Sequence, residues 1–330
     1  AELIGEKLHN IERVVAQYRK RAVRLLTLPP EHLPYRAPTP AGRDGFYYDK
    51  DYYEDWRPPG MVHEEAYNTE VSWQNVTVVR PPHVVPEDGA DALLDERRLG
   101  RMNDVFSLVH PEHDDIMWSF AASSSGVFVG YPGFGRYREK PEFDPRRRTW
   151  YQDAIRADGV RPWWTRPYSD ASTNQFMISC VAAVQVGDQQ AGVVGVDVPM
   201  GRIQDWLRGQ VRFPDQTRCL ILMPFDDSPA APEMTRYRVF VDTTYSTSAE
   251  HWNSVIEPRH IDELSEPLNT YALDIARSGS TQTDPVFKEG FLMASARIKT
   301  LDWLIIVTRK SEAGGNRFLI KTPERAGGSE

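Results

Sequence analysis

Nine residues, Phe143 to Tyr151, read FDPRRRTWY and set three arginines between an Asp-Pro turn and a Trp-Tyr pair. An arginine fork offers paired, charge-assisted bonds to a carboxylate, and neighbouring rings keep water away from them. Further along, Tyr168 and Asp170 lie in RPYSDAST, and Asp197 lies in GVVGVDVPM. Asp197 interrupts an apolar run, where an unpaired carboxylate is costly. It therefore needs a partner: a ligand ammonium, an arginine, or N–H groups at the start of the helix that follows. Asp170 has two readings, a pocket acceptor or the residue that turns the Asp-Ala-Ser-Thr loop. Arg148 likewise either meets a ligand or bridges a helix start to a loop carbonyl. Trp150 lines a pocket or packs a core, and its N–H requires a partner when buried. Tyr151 is equally ordinary as a buried helix-start tyrosine. Arg146 and Arg147 are read as solvent-facing or capping residues. A cation at one end and carboxylates at the other suit a small zwitterion, above all an amino acid.

Other chemistry is poorly supplied. His110 and His113 beside Asp114 and Asp115 have the residue types of a metal site, but their spacing reads better as a solvated helix end, and no metal is expected. The chain has no Gly-rich phosphate loop, no G-x-S-x-G and no HExxH, so neither a cofactor nor a catalytic centre is expected. An exported hydrolase built on Asp170 and Asp197 would lack a histidine or serine nucleophile, and Arg148 would depress both carboxyls. A net charge of -8 with no dominant basic face argues against nucleic acid as a partner. Cys180 and Cys219 each sit in an apolar run and are read either as a disulfide of an exported chain or as two buried thiols. No signal peptide is present, and no apolar run approaches the roughly 20 residues that span a bilayer. The chain opens at Ala1 without an initiator methionine, which predicts an excised or processed segment.

These residues need elements to position them. Leu8, Ile11, Val14 or Val15, Tyr18, Ala22 and Leu25 recur at helical spacing, predicting a long amphipathic helix over Leu3 to Leu28 that Pro29 and Pro30 stop. Residues 31–60, rich in Pro, Tyr and Asp, read as an extended wrap or a tyrosine-rich recognition surface. A strand or its flank follows over Glu70 to Val79, then a helix over Asp91 to Val109 with Leu93, Leu94, Leu99, Met102, Phe106 and Val109 near one side. Ile116 to Ala122 and Gly126 to Tyr131 predict a hairpin, Thr149 to Ala157 a short helix, and Met177 to Val186 with Ala191 to Val198 a second hairpin around Gly187-Asp188. A helix over Met200 to Leu207 closes this half. After polar residues 212–217 come strands Cys219 to Met223 and Tyr237 to Val241, a helix around Ile261 to Ala276, and strands Pro285 to Phe287, Phe291 to Ile298 and Trp303 to Val307. Antiparallel pairs with helical insertions predict an α+β fold, not βαβ winding.

Taken together, FDPRRRTWYQDA, WWTRPYSDAST and GVVGVDVPMGRI resemble the double-Cache sensor domains of bacterial chemoreceptors, sensor kinases and cyclases, which are related to the modules embedded in calcium-channel alpha-2-delta subunits. GVFVGYPGF resembles the strand leading into that motif, and WLIIV the closing strand of a second module. The resemblance implies a long N-terminal helix (1–30), a PAS-like membrane-distal module with the ligand pocket (31–210), a PAS-like membrane-proximal module (211–312) and a polar tail (313–330). Within the family the chain is most similar to the amino-acid-binding subgroup. That likeness implies Arg148 and the Trp150 indole N–H at a ligand carboxylate, and Tyr151, Tyr168, Asp170 and Asp197 around its ammonium. Phe143 stands where the subgroup usually has tyrosine, which leaves open a related amine or a modified carboxylate end. The resemblance further implies a periplasmic or extracellular receptor portion, membrane attachment through helices outside this chain, and a homodimer through the N-terminal helix. Its work would be binding, not catalysis. The rival is a module with no small ligand, acting through protein contacts on the tyrosine-rich segment.

Overall fold

The computed structural model describes residues 2–33, 61–79, 89–134, 143–157, 161–210, 216–224, 237–244, 259–281, 283–298 and 301–310. The tyrosine-rich segment after Leu33 and the tail 313–330 lie outside the described residues. Helix α1 (Glu2–Leu26) buries Ile4, Leu8, Ile11, Val14, Val15, Tyr18, Ala22 and Leu25 along one stripe. That stripe is the helical-period pattern of the sequence, and a 3₁₀ turn at Pro30–His32 follows it.

Strands β1 (Met61–Glu64) and β2 (Thr69–Ser72) form a small ribbon, and β3 (Thr77–Val79) joins the main sheet. The second predicted helix is in fact two, α2 (Gly89–Leu99) and α3 (Asn103–Val109), separated by a 3₁₀ turn at Gly100–Met102. Gly100 weakens the continuous helix at that point. The buried stripe there is Ala92, Leu99, Met102 and Phe106, whereas Leu93, expected near it, is 45% exposed because it lies one position off the stripe. Strands β4 (Trp118–Ser123) and β5 (Phe128–Tyr131) form the predicted hairpin, and β6 (Gly133–Phe134) pairs with β2. Then come α4 (Thr149–Arg156), the two-residue strands β7 (Trp163–Trp164) and β8 (Tyr168–Ser169), the long hairpin β9 (Phe176–Val186) and β10 (Gln189–Pro199), and α5 (Met200–Gly209). The β9–β10 turn is Gly187-Asp188, with Gly187 at φ +60°, a backbone that favours glycine. The sheet runs β3-β5-β4-β10-β9-β7, with β8 also on β9.

The second module is a five-stranded antiparallel sheet. Its members are β11 (Thr217–Pro224), β12 (Tyr237–Asp242), β13 (Val286–Lys288), β14 (Phe291–Ile298) and β15 (Trp303–Lys310), in the order β12-β11-β15-β14-β13. Its helix begins later than predicted: Ile261–Glu263 is a 3₁₀ turn, and α6 (Leu268–Ser278) starts only after Pro267. Proline suits a helix start and not its interior.

Side-chain alternation gives each sheet two faces. In the larger sheet Ala121, Val129, Ile178, Cys180, Val194 and Val196 face α1, while Trp118, Phe120, Phe128, Met177, Val181 and Val193 face the other way. The core under α1 does not stop at the first module. It continues through Ile203 and Leu207 of α5 into Cys219, Ile221 and Ile305 of the second sheet, with Trp164 and Trp303 rings 6.1 Å apart. The far side of the second sheet carries its own core under α6. The architecture is α+β: an N-terminal helix with antiparallel sheet modules. Both cysteines are buried and free, which decides against a disulfide between them.

Candidate functional site: a polar and aromatic pocket on the larger sheet

The motif segment is built from its own turn chemistry. Asp144 caps a 3₁₀ turn, Pro145–Arg147, by accepting from the Arg146 backbone N–H at 2.9 Å, and Pro145 occupies the first turn position. Arg146 adds two side-chain bonds to the same carboxylate, so it belongs to the turn. Arg148 follows with extended backbone as the residue before α4, and its side chain is buried. One of its Nη groups donates to the Ser169 carbonyl at 2.8 Å, and its guanidinium carbon lies 5.5 Å from the centre of the Tyr168 ring. The bridge from helix start to loop carbonyl is thus present, and it aims the fork into the space above the sheet.

The carboxylates come from β10 and from the turn after β8. Asp197 accepts from Tyr168 Oη at 2.9 Å and Ser179 Oγ at 2.5 Å, both on Oδ1. Helix α5 is preceded by Pro199 and has no side-chain cap, so Asp197 does not cap it. Its alternation phase turns it to the opposite sheet face from the α1 core. Burial first, and the charge of Asp170 second, push Asp197 up to about 7; its two hydroxyl partners and Arg148 pull the other way. Burial also lifts Tyr168 far above its ordinary range, with Asp197 adding to it. Asp170 does close its loop, with Oδ2 accepting from Ser172 N, Thr173 N and Thr173 Oγ1 at 2.7–3.0 Å.

Phe143, Arg148, Trp150, Tyr168, Asp170 and Asp197 all line one space on this face. Tyr151 does not; it is buried behind them with its ring 5.8 Å from Trp150. Sequence reasoning passed over Trp118, Phe120, Phe128, Gly130 and Phe134, which line the same space. The available signal was the period-two alternation of β4 and β5, once Asp197 had fixed which face was meant. The indole N–H of Trp118 is buried and has no hydrogen-bond partner among the described residues. The open space at the centre is about 20 Å³, room for one water-sized molecule. The His110 group serves structure: its Nδ1 lies 2.9 Å from Ser119 Oγ, which in turn meets Tyr18 Oη at 3.1 Å. Asp115 accepts from Lys7 Nζ of α1 at 2.7 Å and from Trp206 Nε1 of α5 at 2.8 Å. Among the described residues no group of three His, Cys, Asp or Glu side chains is placed to hold a metal, and no helix is long and apolar enough to cross a membrane.

Residues 132–205 match the family model described as "Methyl-accepting chemotaxis protein-like, first PDC sensor domain". This stretch carries every residue assigned to the pocket from the sequence, so the pocket-bearing segment is the part of the chain that is similar to chemoreceptor PDC sensor domains, in line with the resemblance of the FDPRRRTWYQDA run. A curated relative, the methyl-accepting chemotaxis protein PscA of Pseudomonas syringae pv. tomato, is 31% identical over 90 residues, which are 27% of this chain and 14% of PscA. The chain thus matches about a seventh of that relative's length. Among solved structures, the ligand-binding domain of the Pseudomonas fluorescens chemoreceptor CtaA in complex with L-serine is 22% identical, with 59% of this chain and 73% of that one covered at a TM-score of 0.39. The ligand-binding domain of the Pseudomonas aeruginosa PAO1 amino acid chemoreceptor PctB in complex with L-Arg is 16% identical, with 69% and 80% covered at a TM-score of 0.39.

Proposed function

We propose that this chain is the ligand-sensing portion of a transmembrane signalling receptor, facing the periplasm or the exterior, and that it binds a small zwitterion, most simply an α-amino acid. The observation that carries this reading is the meeting of Arg148, Tyr168, Asp170 and Asp197 in one buried space inside the matched sensor segment. Arg148 and the Trp150 indole hold the carboxylate, and Asp197, Asp170 and Tyr168 receive the ammonium, with Tyr151 supporting Trp150 from behind. Residues 1–30 form the stalk helix, 31–210 the membrane-distal module, 211–312 the membrane-proximal module and 313–330 a linker. Attachment to the membrane and dimerisation through α1 complete the receptor.

The site works by binding, not by chemistry. Asp170 is committed to its loop and Tyr168 titrates far above neutrality, and Asp197, though raised to about 7, has no histidine, cysteine or lysine beside it among the described residues of the lining. The small central space means that a ligand must displace side chains, and this gives it different affinities for the closed and open arrangements. A thermal-shift screen against free amino acids and small amines tests the reading. Ligand at 100 times its dissociation constant adds about 2.7 kcal/mol to stability, and Arg148→Ala and Asp197→Ala should each abolish that shift. No shift with any of them would sink the proposal and leave a module that acts through protein contacts.

A further inference from the structure

The polar and apolar linings of the pocket are separated by strand. Asp197 on β10 lies opposite Ser179 on β9, and Tyr168, Asp170 and the carbonyl that Arg148 holds come from β8 and its turn, which pair with β9. Toward the β5 edge of the same face, Phe120 on β4 lies opposite Gly130 on β5, and Trp118, Phe128, Phe134 and Phe143 complete that half. These rings contact one another: Trp118 and Phe134 centroids are 5.2 Å apart, Phe128 and Phe143 5.5 Å. We infer that the side chain of the ligand lies over β4 and β5 in this aromatic sleeve, and that the sleeve selects a compact, uncharged side chain. This inference rests on the proposed amino-acid site and adds its specificity.

Three observations carry it. First, among the described residues the charged ones lining the space, Arg148, Asp170 and Asp197, all belong to the other half. An ammonium or carboxylate on the ligand side chain would lose its water and meet ring carbon and a single neutral N–H, which cannot replace a charge's hydration. Second, Trp118 Nε1, among the described residues the one polar side-chain atom of the sleeve, is a buried donor with no partner among them. An indole N–H can donate to a hydroxyl oxygen but not to a cation. Third, the sleeve is closed down by contact with the sheet. A Cβ on Gly130 would come within 2.6 Å of Phe134 Cε1 and 3.0 Å of Phe128 Cε1, so the glycine is what lets those rings lie against β5. With about 20 Å³ of open space, a methyl or hydroxymethyl group enters with small ring shifts, whereas a leucine or phenylalanine side chain must expel Phe134 from its seat.

Calorimetric titration of the whole chain with L-alanine, L-serine, L-leucine, L-phenylalanine, L-lysine and L-glutamate tests this. Alanine and serine should bind, and lysine and glutamate should bind at least about 100-fold more weakly. In Phe134→Ala, leucine and phenylalanine should gain about tenfold or more relative to alanine. Gly130→Ala should weaken all of the ligands by crowding Phe134. Phe134→Leu serves the same purpose should the alanine variant fail to fold by circular dichroism. Lysine or glutamate binding as tightly as alanine, or an unchanged order of ligands in both Phe134 variants, would overturn the inference. In that case the amino-acid site itself would still stand, provided Arg148→Ala abolishes binding. Absence of binding by every amino acid to the unmodified chain would overturn both.

Discussion

Asp197 holds its proton up to about pH 7, yet the proposed site requires it to carry a negative charge when an ammonium arrives. Below that pH part of the ligand's binding free energy goes into removing the proton, so affinity should fall about tenfold per pH unit and level off above neutrality. Titration calorimetry between pH 5.5 and 8 in two buffers of different ionisation enthalpy would show both the slope and the released proton. The ligand-free chain has a related signature. A folded-state value above the usual 3.8 means that Asp197 contributes stability at low pH and loses it as the pH rises through 7. His110 does the reverse: burial, aided by His113, lowers it to about 3, so its contribution is complete above 6.5 and is lost as the pH falls. The two slopes oppose each other between about pH 4 and 6.5, at up to about 1.4 kcal/mol per pH unit each. Urea denaturation of Asp197→Asn should therefore show stability rising with pH more steeply there than in the unmodified chain. The charged residues of this site were legible in the sequence because carboxylates and arginine among apolar residues need partners. The aromatic half was not, because Trp118, Phe120 and Phe128 look like any core strand until the register against β10 sets their face.

The long hairpin β9–β10 and the helices on either side of it were readable from periodicity, since two residues per repeat and nearly four per turn leave different patterns. Very short elements were not: β7, β8 and β6 have two residues each and no period to detect. Nor did the stripe of α2 show its break at Gly100, because Leu93 and Leu94 imitate a broader apolar face. Close packing places its own demand on the hairpin at Gly195, where a Cβ would lie 2.6 Å from Phe120 Cζ, 2.7 Å from Val181 Cγ1 and 2.8 Å from the Cys180 carbonyl. Two of those neighbours are side chains wedged from both flanking strands and the third is backbone, so no simple adjustment clears the space. Gly195→Ala should cost about 1–3 kcal/mol in urea denaturation, an overpacking penalty. Gly187→Ala, with open space around it, should show only the smaller penalty of its positive φ.

The two modules share one core along α1, and cooperative units follow buried contacts and not sequence boundaries. Calorimetry should accordingly give a single transition, with the calorimetric enthalpy equal to the van 't Hoff enthalpy. Separate melting of a 211–312 fragment inside the chain would contradict that expectation. The thiols report on the same core: burial pushes Cys219 up to about 11 and lifts Cys180 well above the ordinary thiol range. A thiol reagent should find neither in the native chain and both in guanidinium, and reductant should leave the melting temperature unchanged. There remains the carboxylate of Asp115, gripped at once by Lys7 and Trp206. Two residues later the Met117 N–H bonds to the Asp197 carbonyl at 2.8 Å, so the grip and the pocket share one short piece of chain. Asp115→Ala, which removes no residue of the pocket lining, should change ligand affinity several-fold by calorimetry, a coupling of about 1 kcal/mol. Such coupling runs in both directions. If the proposed receptor clamps α1, through a second copy or an anchored extension, the clamp should shift the pocket's set point, and a dissociation constant measured on the free domain would then describe a sensor with its leash untied.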